Sequence, residues 1–357
     1  MRNRIHIRKL TLTAVIFLLI GVSLSGCVDE IDFDIEREGG KLVVSGGIYD
    51  HDGPFTVKLA LTNEVITVPM PVSGAEVTLI DDRDNRFRYL GEEPGIYTLP
   101  SGTVDARRGD SFHIEIALPN GRVYRSIPET IPMLNGVPET ILEPGFIQEP
   151  SVSGRLMDIP AISVYANTRV PEQSGPLFLK WDVKSVYAFR ENEPTHPLAP
   201  PANTCYITRK TDTQAINLIR TDELASNFIE NQRLVTKRII REQYYIRHVF
   251  VVTVSSISER RYFYWKNVDE MINQTGTIFD APPATVKGNI VNVNDENDFA
   301  LGYFEAAAQN SSHDFVTRAD LPVFIPNPCS GAGRGPAECD NCLLIDDSSL
   351  DRPDIYD

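Results

Sequence analysis

Hydrophobic and polar residues alternate along most of this chain, and the alternation has a period of two far more often than a helical one. From Lys41 to Ile127 the apolar positions fall in short runs. Leu42-Val43-Val44 and Ile48 open the series, and Phe55, Val57, Leu59 and Leu61 alternate with polar partners. Val77-Thr78-Leu79-Ile80 runs into the acidic turn Asp81–Asn85, after which Phe87 and Tyr89 resume the pattern. Phe112, Ile114 and Ile116 are followed by Pro119-Asn120-Gly121 and then Val123-Tyr124, where Asn-Gly favours a tight hairpin. About seven short strands between regularly spaced turns predict an Ig-like β-sandwich over 41–127.

Residues 128–160 carry Pro128, Pro132, Pro138, Pro144, Pro150 and Pro160, which reads as an extended connection anchored by Ile131, Met133, Ile141 and Phe146. A second domain is expected over 161–357. Leu177, Leu179, Trp181, Val183, Tyr187 and Phe189 place one apolar face on a long strand, and Tyr244–Val254 predicts another. Two helices are expected in it. Thr221 caps the first, over Asp222–Gln232. Ser258 caps the second, in which Tyr264, Trp265, Val268, Met271 and Ile272 recur at helical spacing before Gly276. From Pro326 onward Gly, Pro and Cys predict an irregular tail. The fold class is therefore mainly β with a minor α component, an N-terminal β-sandwich followed by a β-rich α+β domain.

The first 26 residues have a different character. Arg2, Arg4, Arg8 and Lys9 precede the apolar run Leu10–Ile20, and Leu24-Ser25-Gly26 leads into Cys27. The run is too short to span a bilayer comfortably. Small residues before a cysteine match the bacterial lipobox, so 1–26 reads as a signal peptide and Cys27 as the lipidated first residue of the mature chain. Acyl chains attached there tether a protein to a membrane. Residues 27–40 then form an acidic tether, within which Ile31, Phe33 and Ile35 alternate with acidic residues from Glu30 to Glu36, the pattern of an edge strand.

Charge narrows the function. The formal net charge is −15 and the pI about 4.9. Loss of the four basic leader residues takes the charge to −19. Nucleic acid, which needs a basic face, is not an expected partner. Apart from Cys27 the cysteines are Cys205, Cys329, Cys339 and Cys342. In an exported protein an even number favours two disulfides, with three pairings possible; the rival is a zinc site using the Cys339-x-x-Cys342 spacing and Cys205.

The other motifs have ordinary readings beside chemical ones. Asn292, Asn294, Asp295, Glu296 and Asp298 crowd oxygen ligands that would suit calcium, or form an Asx-rich turn, and Asp81–Asn85 shares that ambiguity. Trp181, Trp265 and Tyr262 form either a sugar platform or core. His51, His113, His196, His248 and His313 lack metal-ligand spacing, and Gly331–Gly335 reads as a spacer between cysteines. With no HExxH, GxSxG or P-loop, the chain is not expected to be an enzyme or to hold a cofactor.

Several stretches together resemble one family: the lipobox, Leu42-Val43-Val44-Ser45-Gly46, Pro71–Leu79, Gly95-Ile96-Tyr97, Val164–Thr168, Gln274–Asp280, Pro283–Ile290 and Leu301-Gly302-Tyr303-Phe304. They are similar to the Bacteroidota lipoproteins known as domain of unknown function 4249. The N-terminal part, 41–127, resembles transthyretin-like or carboxypeptidase-regulatory-like sandwiches, whose strands carry the same V-x-G-A-x-V-x-L pattern. The acidic stretch after Cys27 also resembles the signal that exports such lipoproteins to the cell exterior. The resemblance implies a lipid-anchored outer-membrane protein, often encoded beside a TonB-dependent transporter, and brings no catalytic residues. It leads to a ligand-binding or accessory subunit of such a transporter as the first functional expectation. A structural, adhesin-like envelope protein is the second, and an enzyme of unrecognised type acting on exported polymers the third.

Overall fold

The computed structural model describes residues 40–63, 68–172, 175–194, 196, 198, 200–210, 216–273, 285–330 and 335–356. The leader, Cys27, the Glu30–Glu36 stretch, Gly276 and 331–334 lie outside them. Among the described residues there are three sheets. The largest runs, in spatial order, through Ser348–Ser349, Thr204–Lys210, Phe178–Arg190, Arg247–Ile257, Leu301–Thr317, Leu42–Tyr49, Phe55–Leu61, Ile96–Leu99 and Leu90–Glu93. Asn217–Arg220 also pairs with Phe178–Arg190, and Met70–Pro71 with Phe55–Leu61. The second sheet runs Asp295–Phe299, Ile290–Asn292, Val123–Ser126, Ser111–Ala117, Glu76–Asp81 and Arg86–Arg88, with Glu129–Thr130 beside Ser111–Ala117. The third has three strands, Val137–Pro150, Leu156–Arg169 and Phe228–Arg238. The protein is mainly β, as its patterning requires.

Both smaller sheets pack on one face of the large one. Phe304, Ala306 and Ala308 share a core with Leu42, Val44, Ile48, Val77, Leu79, Ile114 and Ile116. Eight residues further along the same strand, Val316 lies in a second core with Ile162, Val164, Trp181, Phe250 and Val252. All four positions on that strand are even-numbered, so they point the same way. The result is two sandwiches sharing one wall. The Asn-Gly hairpin forms as its residues dictate: Leu118 N–H donates to Arg122 O at 2.8 Å, and Gly121 supplies a φ of 87°.

On the opposite face lies the α-helix Glu259–Asn273. Ser258 caps it as expected, its Oγ accepting from Arg261 N–H at 3.2 Å. Arg261 anchors it: the guanidinium donates to Glu305 Oε2 at 2.7 Å and lies against the rings of Tyr264, Trp265 and Tyr303. Tyr49 donates to the other carboxylate oxygen at 2.9 Å. Burial acts to raise the Glu305 carboxyl, but the charges of Arg261 and Lys180 outweigh it and hold the group below the usual range.

Two expectations are corrected. Asp222–Gln232 is not a helix: only Thr221–Glu223 makes a 3-10 turn, and the strand Phe228–Arg238 follows. The Thr221 hydroxyl is taken by Leu177 N–H at 2.8 Å instead of capping, and the strand is held by pairing to Leu156–Arg169. Tertiary pairing overrides a weak local preference here. Nor is 128–160 a mere connection, since Val137–Pro150 is a strand paired along its whole length with Leu156–Arg169. From Gly39 onward the chain forms one compact unit, and the large sheet draws strands from both expected domains.

Gly302 fixes the start of the shared strand. Its φ is 83°, and a Cβ there would lie 2.0 Å from Val44 O. Gly302→Ala is therefore expected to destabilise the fold by about 3 kcal/mol or more in denaturant titration. Gly145→Ala, where a Cβ meets nothing within 4 Å, should leave the midpoint nearly unchanged.

Candidate functional site

The four cysteines of the body form two disulfides, Cys205–Cys342 and Cys329–Cys339. The Cys339-x-x-Cys342 pair is thus divided between two bonds, which excludes a CxxC redox pair and a zinc site on these thiolates. Cys205 sits on Thr204–Lys210, and its bond to Cys342 brings the tail over a distance of 137 residues. Tyr187, Phe189 and Ile207 bury the bond. The tail then crosses the sheet edge, where Ser348–Ser349 pairs with Thr204–Lys210. It ends on the other face, with Tyr356 packed among Val186, Ala188, Val249 and Val251. There Tyr356 donates to Arg247 O at 2.6 Å, and Arg247 returns a bond to Tyr356 O at 2.9 Å. The tail is a clasp around one edge of the large sheet.

The remaining candidates resolve into structure. Asp298 Oδ2 accepts from Tyr124 and from Asn292, each at 2.8 Å, while Asn292 Oδ1 accepts from Asn294 N–H at 3.0 Å. Asp295 Oδ1 caps Asn297 N–H. These oxygens close an Asx-rich hairpin. Asp81 does likewise, accepting from the N–H groups of Arg83 and Asn85. Among the described residues no three His, Cys, Asp or Glu side chains gather as a metal would need. Trp181 is buried and donates to Thr168 at 3.1 Å, and Tyr262 is buried against Phe178. Trp265 lies against Arg261 and Lys180. Trp181 and Tyr262 are therefore core residues, and the half-buried Trp265 ring packs against two cations.

His248 is fully buried, with its ring stacked on Tyr244, Phe250 and Tyr187 at 4.3, 4.6 and 5.6 Å between centroids. Neither ring nitrogen has a well-formed hydrogen bond. Burial pushes the imidazole down to about 3; the Lys237 charge adds to this and the Gln243 backbone opposes it. It is a core residue.

The feature with the character of an interaction site is the end of the third sheet. Phe228–Arg238 pairs with Leu156–Arg169 only as far as Ala161, after which Ile239 N–H still reaches Pro160 O at 2.9 Å. The two longer strands continue past it to their turn at 151–155. No residue from 145 to 160 is buried. Pairing register puts Phe146, Pro150, Leu156 and Pro160 on one face of this ribbon and Ile147, Met157 and Ile159 on the other. Phe146, Val152, Leu156 and Met157 are large, apolar and exposed.

The ribbon also has a direction. Asn135 reaches Ala308 O, Asn310 reaches Gly136 O at 2.8 Å and Thr140 meets Ser312, so the ribbon advances with the Leu301–Thr317 strand. Leu42 lies beside the beginning of that strand. The tip and Leu42 are therefore at opposite ends of the body. Sequence reading took this segment for a connection because of its prolines. The available signal was their spacing of six, an even number that keeps Pro138, Pro144 and Pro150 on one edge of a strand.

Two β-sandwiches on a common sheet, closed by a disulfide-bonded tail, define a β-rich protein with a free-standing ribbon. The profile of the family described as domain of unknown function (DUF4249) matches residues 28–313. The chain belongs to that family. No curated protein matches it.

Two measurements check the energetics. Cys205→Ala with Cys342→Ala should cost about 4 kcal/mol in unfolding free energy, and Cys329→Ala with Cys339→Ala about 2. The first bond closes 137 residues and the second 10; peptide mapping without reductant identifies both. The unfolded imidazole of His248 binds a proton near pH 6.5, whereas the folded one resists until about 3. Its contribution is complete above pH 6.5 and lost as pH falls, at up to about 1.4 kcal/mol per pH unit. Stability measured from pH 7 to 4.5 should fall less steeply in His248→Phe than in the parent protein.

Proposed function

We propose that this protein is a lipid-anchored outer-membrane lipoprotein, facing the cell exterior, that acts as a ligand-binding or accessory subunit of a TonB-dependent transporter. Several features support the reading. The leader and Leu24-Ser25-Gly26 support lipidation at Cys27. Gly40 follows it by thirteen residues, a length that reaches about 45 Å at full extension. A tether of that reach confines the body to the membrane surface and raises the effective concentration of any neighbour there, so modest contacts suffice for association. Resemblance to the DUF4249 lipoproteins supplies the transporter as the neighbour. The single structural observation that carries the reading is the ribbon 145–160, apolar on both faces and standing clear at the end away from Leu42. Exposed apolar surface of this kind marks interaction sites.

Gentle detergent extraction of the tagged, acylated protein, followed by affinity purification, should recover a TonB-dependent β-barrel in near-equal amounts. Cys27→Ala should take up no palmitate and recover at least tenfold less barrel. If the acylated protein elutes alone at low salt, the reading fails and a structural envelope role gains.

A further inference from the structure

We infer that the ribbon recognises a different protein by strand addition, along the edge of Leu156–Arg169 that is left open at Leu156 and Asp158. The inference rests on the preceding section only for the setting in which the partner is met.

Hydrogen-bond parity fixes which edges are available. Ser151 N–H donates to Arg155 O, so Ser151 and Arg155 face each other as a bonded pair. Along an antiparallel ladder bonded and non-bonded pairs alternate. The odd-numbered residues of the two strands therefore bond each other across the ribbon, and the even-numbered ones direct N–H and C=O outward. On the Val137–Pro150 side the outward set includes Pro138, Pro144 and Pro150. Proline has no N–H to offer, and prolines at this spacing close that edge to pairing. On the other side the outward groups are used by Phe228–Arg238 and by Ile239, as far as Pro160. Beyond it Asp158 and Leu156 carry N–H and C=O groups on an edge that no strand among the described residues covers. An added strand would continue the line of Phe228–Arg238 and meet Leu156 on one face, Met157 and Ile159 on the other.

The occupant follows from charge and solvent. A bilayer is a poor host for a two-stranded ribbon, because its outward N–H and C=O groups would lie unpaired in hydrocarbon. The tip also points away from Leu42, where the tether joins. A second copy is disfavoured by repulsion between two acidic chains, each of net charge −19 once the leader is lost. From 145 to 160 the charged residues are Glu149, Arg155 and Asp158, and Glu149 is paired with Arg238. The contact surface is thus nearly neutral and apolar within an acidic protein. It fits an extended segment of another protein with apolar side chains at alternate positions, the general mode of β-augmentation.

The test separates backbone pairing from side-chain contact. Leu156 is replaced by a photoreactive phenylalanine analogue in the full-length acylated protein, which is irradiated in intact outer membranes. One discrete protein adduct is expected. Asp158→Ala keeps the outward N–H and should keep the adduct. Asp158→Pro removes that N–H without breaking a backbone bond inside the ribbon, loses the same Gln148 side-chain bond as Asp158→Ala, and should lower the yield at least tenfold. Gln148→Pro, on the already closed edge, should leave it unchanged. Circular dichroism and melting of each purified variant establish that the body is folded.

Equal yields from Asp158→Pro and Asp158→Ala would overturn strand addition. An adduct of twice the chain mass, an adduct to lipid, or none at all would overturn the occupant. Recovery of the barrel by affinity purification is scored separately on the same variants. A retained barrel with no ribbon adduct sinks this inference alone, whereas a ribbon adduct to some other protein with no barrel sinks the transporter reading alone.

Discussion

The strand Leu301–Thr317 belongs to both halves of the molecule, and the rest of the fold is arranged around that sharing. Its first part pairs in parallel with Leu42–Tyr49, and its second part pairs antiparallel with Arg247–Ile257 on the other edge. The stagger is finished by side chains. Asp50, just past the parallel pairing, accepts from Gln309 N–H at 2.7 Å and also binds Arg108 at 2.7 Å. Where Arg247–Ile257 stops, the helix begins, and Arg261 reaches Glu305 on the shared strand. Gly47 makes that ion pair possible, since a Cβ there would lie 2.7 Å from the Glu305 side chain. Buried charges are tolerated only when paired and hydrogen-bonded, and Glu305 meets Arg261 and Tyr49 together. The first described strand and one near the C-terminus must meet before the first sandwich has its wall, a topology of high contact order.

A sheet this wide has edges to protect, and the protein manages them differently. At one end Ser348–Ser349 and the disulfide-bonded tail cover Thr204–Lys210. At the other, Leu90–Glu93 is short, bulged against Ile96–Leu99 and carries two glutamates. Three evenly spaced prolines blunt the outer edge of Val137–Pro150. Such devices suppress unwanted pairing. Against that background the open stretch at Leu156 and Asp158 stands out, because the strand that covers its neighbours stops one step short.

The clasp and the ribbon sit on opposite sides of one design choice. Tail residues contribute little apolar surface of their own, so covalent bonds and the docking of Tyr356 hold them down. The ribbon carries ample apolar surface, and nothing among the described residues buries it. A segment that keeps Phe146, Leu156 and Met157 in water is held in shape by its backbone ladder and by the Gln148–Asp158 and Glu149–Arg238 side-chain bonds. That is the condition of an element whose burial is supplied from outside.

Much of this was readable in the chain because it is local. Alternation from Leu177 to Phe189 specified a strand with one apolar face, Ser258 specified a helix start, and an even set of cysteines specified bonds without naming the pairs. What tertiary structure alone decided was partnership. The face read as one stripe serves two layers, with Leu179, Trp181 and Val183 under the third sheet and Tyr187 and Phe189 under the disulfides. Thr221 was free to cap a helix until Leu177 N–H claimed its hydroxyl. The prolines between 138 and 150 broke a strand pattern by composition yet fit one by parity, and only the paired neighbour reveals which edge they face. Side-chain periodicity is a property of consecutive residues, and a sequence carries it outright. Hydrogen-bond direction, burial and the choice of partner belong to residues a hundred or more positions apart, and exist only once the chain has folded.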